Sequence, residues 1–239
     1  IKSDGLKPDP LFAQVLNRHT NRNPYDTSRP VSDVVVKRLQ KVAHGPVTTG
    51  VNNGGEQLQY LRELTRDGIV GEIKTPEAYQ ESIDLMRIGR REIEANPDGI
   101  SMGGAFLETL NLTGVLTRKT LADPASDSFQ IGIDMVEEGA MTAMGFVWII
   151  TQGNDRAAQI EAGRAYMRIA LQVAQEGMVL QPMSQALQEY AEMAPYYESV
   201  HDRLTSAPGE RIQMLARIGF ADDVGPAPRW PLETRMKEA

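Results

Sequence analysis

The stretch from Asn154 to Gln185, NDRAAQIEAGRAYMRIALQVAQEGMVLQPMSQ, constrains this chain more than any other. Apolar or small residues recur at Ile160, Gly163, Met167, Ala170, Ala174 and Met178, at helical spacings of three and four. A second stripe, Ala162, Tyr166, Ile169 and Val173, lies on a different face. A helix with two apolar faces must be covered on two sides, so it is expected to be the central strut of a domain. One domain supplies cover for one stripe; the other is left for a second half or a second copy. Asn154 is placed to cap the start of this helix, and Gly177 to end it in a left-handed turn. Glu161 has Arg164 and Arg168 within pairing distance on the polar edge. Pro182 then forces an abrupt turn into Met183-Ser184-Gln185, where backbone N–H groups either face a ligand or simply reverse the chain.

The flanking segments supply the cover. Gly145 to Thr151 (GFVWIIT) has no polar alternation and reads as a strand buried on both faces. Arg211 to Ala221 alternates, with Met214, Ala216, Ile218 and Phe220 on one side, and reads as a second strand beside the first. Ser32 is expected to cap a helix whose inner face is Val34, Val35, Leu39 and Val42. Residues 44–55 read as a strand and turn, without the Lys-Ser/Thr of a P-loop and without GxGxxG. Residues 56–67 and 76–91 read as two helices packed as a hairpin, with Arg87, Arg90 and Arg91 on a solvated face. Residues 96–127 look like a loop-rich excursion, an active-site lid or a dimer arm. Short helices are expected over 129–138 and 197–204. Residues 1–10 read as a linker or the remnant of an upstream half, and 11–239 as one domain.

Composition removes several functional classes. Acidic residues outnumber basic ones 32 to 25, a formal net charge of −7, which argues against a general nucleic-acid binder. There is no cysteine, which excludes disulfides, thiolate metal sites and cysteine nucleophiles. The 3 histidines are scattered, with no HExxH, and no GxSxG occurs, so neither a metal nor a serine nucleophile is expected. The most apolar run, Met141 to Ile150, is too short to cross a bilayer. A cytoplasmic protein is expected, or a periplasmic one if an upstream signal has been removed, since the chain begins at Ile1. What remains is RHTNR, Arg18 to Arg22, closed by Asn23-Pro24. Two guanidiniums and a hydroxyl converging on one point suit a phosphate or carboxylate. The alternative is a pair of solvated arginines at a helix end. A chain without nucleophile, metal or acid–base pair, but with such a site, suggests chemistry borrowed from a cofactor.

Three segments together resemble the FMN-dependent nitroreductase family. RHTNR looks like that family's R-x-S/T-x-R/K pentad, QPMSQ (181–185) like its turn at the flavin edge, and Gly219 to Glu233 like its terminal strand followed by a basic residue. The resemblance implies an α+β three-layer sandwich around a small, mostly antiparallel sheet, with FMN as cofactor. It makes Arg18, His19, Thr20, Arg22, Ser184, Gln185 and Arg229 the candidate cofactor-binding residues. Arg18, Thr20 and Arg229 would hold the phosphate and Arg22 the ribityl chain. The backbone N–H groups of Ser184 and Gln185 would face the flavin N5 and O4 edge. The run DPLFAQVLNRHTNRNPYD further resembles the branch that carries two nitroreductase-like halves in one chain, where it opens the second half; that branch includes FMN-sequestering proteins. Ala227 departs from the family, which often places a second basic residue there, and no S-x-x-N-x-Q-P-W loop occurs. The loop is therefore expected on an upstream half or another chain, unless Asn52 or Asn53 substitutes for it. The functions implied are hydride transfer from NAD(P)H through flavin N5 to an electron-poor acceptor, FMN storage without turnover, or a degenerate dimerisation half. A homodimer is expected.

Overall fold

Strand pairing at the centre of the chain sets the architecture. The computed structural model describes residues 7–236, so the first six residues of the expected linker lie outside the described residues. In chain order the elements are α1 (Asp33–Val42), β1 (Val47–Asn52), α2 (Gly55–Ile73), α3 (Pro76–Leu85), β2 (Met86–Ile88), α4 (Gly89–Ala95), β3 (Ile100–Met102), α5 (Ala105–Leu112), α6 (Arg118–Leu121), α7 (Asp127–Met141), β4 (Gly145–Gln152), α8 (Arg156–Gln175), β5 (Val179–Pro182), α9 (Ala194–Leu204) and β6 (Glu210–Gly219). They fall into two compact units, residues 1–69 with 138–224 and residues 70–137 with 225–239.

The first unit is the three-layer α+β sandwich that the sequence implied. Its four-stranded sheet has the order β1-β4-β6-β5, antiparallel at each step. β4 is buried on both faces as its composition requires. Val147 and Ile149 point into one core, with Val35 and Leu39 of α1 and Ala162, Ala165, Ile169 and Val173 of α8. Phe146 and Ile150 point into the other, with Leu58, Leu61 and Leu64 of α2, Ala140 of α7 and Val200 of α9. On β6, Ala216 and Ile218 join the first core as expected. Ile212 does not follow the alternation. Between Ile149 and Ile150 the partner jumps from Met214 to Ile212, so Gln213 is an extra residue and Ile212 turns to the second core beside Leu215.

α8 starts one residue later than expected. Asp155 is the cap, its carboxylate accepting from Ala158 N–H at 2.8 Å, while the Asn154 amide oxygen accepts from Gln213. Gly177, at φ +65°, ends the helix as expected. The stripe from Ala162 to Val173 is the one that meets the sheet. On the other stripe Ala170 and Met178 are buried, but Ile160 and Met167 stay 47% and 48% exposed. Glu161 pairs with Arg164, and Arg168 turns instead to Asp9 and to the Val42 carbonyl. On α1, Ser32 caps as expected, but Val34 is exposed.

In the second unit, β2 and β3 pair in parallel. The stretch 96–127 is more ordered than its loop-like composition suggests. It contains β3, α5 and α6, the last closed by a reciprocal Thr117–Thr120 capping box, and it buries Leu116 and Leu121. Arg87, expected to be solvated, is held by Asp98 at 2.8 Å, and Arg118 grips Glu92 through both carboxylate oxygens. That pairing, with the Ile88 N–H, pulls the Glu92 carboxyl down to about 2.

His201 links α9 to β6 in a way that depends on its protonation. Its Nδ1–H donates to the Tyr197 carbonyl (2.8 Å), and its Nε2 accepts from Ile212 N–H (3.1 Å), so the ring is neutral. Protonation would turn Nε2 from acceptor to donor against an N–H. Burial, the larger cause, already holds the imidazole below its ordinary 6.5. A depressed folded-state value means the contribution to stability is complete above pH 6.5 and is lost as the pH falls below it. Thermal melts should therefore fall in midpoint from pH 7 to 5, and His201→Gln should flatten that part of the profile. An unchanged slope in the variant would remove His201 from the account.

Candidate functional site

The pentad does not sit on a regular helix. A short 3-10 helix, Pro10–Gln14, leads into it, and Thr20 then forms an isolated parallel bridge with Leu180 of β5. The fourth residue, Asn21, is 1% exposed and holds the segment in place. Its N–H donates to Leu180 O (3.2 Å), its side-chain N–H to Asp222 O (2.7 Å), and its amide oxygen accepts from Asn23 N–H (2.9 Å). Beside it, Arg18 and Thr20 are partly exposed and Arg22 is exposed. Among the described residues, no hydrogen bond or ion pair is made by the side chains of Arg18, Thr20 or Arg22. His19 Nδ1 stands 3.6 Å from an Asp223 oxygen, beyond a hydrogen bond, and is buried without a partner. Arg18, His19 and Asn21 back onto α8 and β5 around a cavity of about 30 Å³, enough for water but not for a phosphate group. Any larger ligand of the pentad must lie on its outer side.

The turn after β5 shows what an abrupt reversal leaves exposed. Met183 N–H donates to Leu215 O (2.8 Å), and Leu187 N–H donates to Ser184 O (3.0 Å). Between them, the N–H groups of Ser184 and Gln185 have no backbone acceptor among the described residues. The Gln185 side-chain oxygen is buried without a partner, as is that of Gln188. Unpaired groups of this kind are uncommon in folded proteins, and here two donors and two acceptors occur within five residues. Leu180, which the pentad bridges, lies four residues before Ser184, so pentad and turn belong to one sheet edge.

What joins them is a residue the sequence reading passed over. Arg217, in the middle of β6, is 0% exposed. Its Nε donates to the Gln181 side chain (2.7 Å), one Nη to Asn23 O (2.8 Å) and the other to Gly139 O. The guanidinium lies over the Tyr25 ring at 3.8 Å. Burial lowers the pKa of Arg217 and raises that of Tyr25, and the nearby guanidinium partly opposes the rise in Tyr25. Tyr25 in turn donates its hydroxyl to Asn21 O (3.3 Å). Gly219 makes room for it, since a Cβ there would stand 2.5 Å from the ring. A signal was present: an arginine inside an otherwise apolar strand, opposite in phase to Ala216 and Ile218.

Arg229 belongs to the second unit. It lines a groove of about 340 Å³ there with Trp230 and Arg235, and donates to the Pro228 carbonyl. Trp230 is held by its indole N–H on Asp98 (2.9 Å), with Arg235 over its ring at 5.1 Å. Among the described residues no acid or histidine cluster could hold a metal.

No family model matches the chain, and no curated protein matches its sequence. Solved structures do. A nitroreductase with bound FMN from Desulfitobacterium hafniense DCB-2 superposes with a TM-score of 0.56 at 12% identity, over 98% of this chain and 100% of that one. The FMN-dependent nitroreductase NfnB from Mycobacterium smegmatis, in complex with NADPH, gives 0.56 at 14%, over 96% and 98%. The FMN and NADPH-dependent nitroreductase NfnB from sphigopyxis sp. strain HMH gives 0.55 at 16%, over 96% and 98%. The chain has the nitroreductase fold.

Proposed function

We propose that the chain binds FMN at the pentad and the Ser184–Gln185 turn, and that it is an oxidoreductase of nitroreductase type. The observation that carries this reading is the pair of unpaired N–H groups at the turn, at the end of an edge strand bridged to three uncommitted polar side chains. The residues fit the group. A flavin edge offers N5 and O4 as acceptors to two adjacent N–H donors, and N3–H as a donor to an orphaned amide oxygen such as that of Gln185. The bound FMN and NADPH of the similar structures support the same reading.

In this reading Arg18 and Thr20 hold the phosphate on the outer side of the pentad, His19 lies beside them, and Arg22 reaches the ribityl chain. Arg229 lies in the second unit, in a groove with Trp230 and Arg235. When bound, FMN would accept hydride at N5 from NAD(P)H and pass the electrons to an electron-poor acceptor. The protein's part is electrostatic: fixed N–H dipoles at Ser184 and Gln185 favour negative charge along the flavin edge without having to reorganise. The missing S-x-x-N-x-Q-P-W loop supports a second reading, FMN storage without turnover. Charge-assisted bonds to phosphate contribute about 1.5–3 kcal/mol each. Arg18→Ala should therefore weaken FMN binding at least tenfold with the fold retained, and Thr20→Val should cost less; Arg229→Ala probes the second unit separately. FMN affinity unchanged in Arg18→Ala would sink the assignment. Anaerobic NADPH should bleach the flavin band, and a band that persists would favour storage.

We also propose a homodimer. Phe12 and Met167, 70% and 48% exposed, line one open groove of the first unit with Val15 and Leu171. A second copy across it would supply the cover that α8's outer stripe lacks. Sedimentation should give twice the chain mass, with Met167→Glu shifting it toward the monomer. A monomeric parent protein would overturn the proposal.

A further inference from the structure

The second unit contains a groove of about 570 Å³, within the range of small-molecule sites, that the flavin reading does not use. Its floor is Ile73, Ile83, Phe129 and Ile133, each buried although the groove beside them is open. Tyr79 stands in the same wall, edge-on to Phe129, with ring centroids 5.7 Å apart and planes at 86°. Tyr79 is 7% exposed, yet its hydroxyl makes no hydrogen bond among the described residues. The ring is buried while the hydroxyl oxygen still reaches solvent, so a ligand acceptor could take the bond that water now takes. Gly132 leaves space in front of that hydroxyl: a Cβ there would be 3.9 Å from its oxygen.

The lining also indicates the charge of an occupant. Lys74 and Glu137 contribute one charge of each sign, so the groove has no net charge to favour an ion. Gln80 and Gln130 direct their amide N–H groups along their own helices, to Asp84 and Asp134. The Tyr79 hydroxyl is a neutral donor set beside the apolar side chains of the floor, without a protein partner among the described residues. We propose that this groove binds a small, neutral, planar aromatic compound carrying one oxygen acceptor, its ring on Phe129 and the isoleucines and its oxygen taking the Tyr79 O–H. The site lies within the second unit and does not depend on a flavin, so its failure would leave the flavin reading untouched.

Acetophenone, and ethylbenzene as its counterpart without the oxygen, test this by calorimetric titration of the whole chain. Saturable binding of acetophenone is expected. Tyr79→Phe should weaken it about fivefold, the equivalent of one neutral hydrogen bond of ~1 kcal/mol, and leave ethylbenzene unchanged. Gln130→Trp, at the exposed rim, should weaken both ligands and remains informative if Tyr79→Phe fails to fold. No saturable binding, equal acetophenone affinity in Tyr79→Phe and the parent, or full affinity for both ligands in Gln130→Trp would overturn the proposal.

Discussion

A guanidinium buried without a carboxylate is the constraint on which the first unit depends. Removing a cation from water costs several kcal/mol unless its donors are all met, and breaking such an arrangement costs about 3–5 kcal/mol. Arg217 meets its donors with Gln181 of β5, the Gly139 carbonyl near the end of α7, and the Asn23 carbonyl just past the pentad. Three segments distant in sequence thus share one planar fork. A lysine, with a point charge and no fork, could not reproduce that geometry. The Tyr25 ring over the guanidinium closes the arrangement, and its hydroxyl returns to the Asn21 carbonyl within the pentad.

The sheet places this tie where a ligand can use it. Both faces of β4 and β6 are covered by helices, which leaves the sheet's edges and strand ends as the places for a site. β5 is one edge, and the pentad joins it through the Thr20 bridge. The turn then leaves the end of β5 with its donors unmet. Asn21 and Arg217 use their polarity inward, while among the described residues the side chains of Arg18 and Thr20 and the N–H groups of Ser184 and Gln185 keep no protein partner. The two sets differ in what their groups already bind.

Much of this was legible in the sequence. The unalternating run of β4, the sheet-facing stripe of α8, Gly177 and the Pro182 turn each follow from local rules of burial and backbone freedom, and they were read correctly. The cap of α8 was misread by one residue because Asn154 and Asp155 are equally good caps; a long-range bond to Gln213 decides between them. The turn of Ile212 to the second core was not legible, because a bulge depends on the partner strand, not on the strand's own alternation. The helices within 96–127 were missed because Gly and Asn punctuation marks caps and turns as readily as loops. Arg217 and Asn21 were missed for a different reason. Their roles rest on partners up to 201 residues away, such as Asp222 for Asn21, which no local pattern encodes. For the candidate site, the motif named residues whose polar groups stay uncommitted, and the residues that hold the segment in place lay outside any local pattern.

Hydrogen exchange on Arg217→Lys tests most directly whether one cation holds the pentad and the turn together. The amides to follow are Asn21, bonded to Leu180 O, Tyr25, bonded to the Thr142 hydroxyl, and Met183, bonded to Leu215 O. Each lost charge-assisted bond is worth about 1.5–3 kcal/mol, so exchange at all three should quicken together by tenfold or more. The amides of β1, on the opposite edge of the sheet, should keep their protection. If all three amides exchange as slowly in the variant as in the parent protein, or if only one quickens, Arg217 does not join these segments.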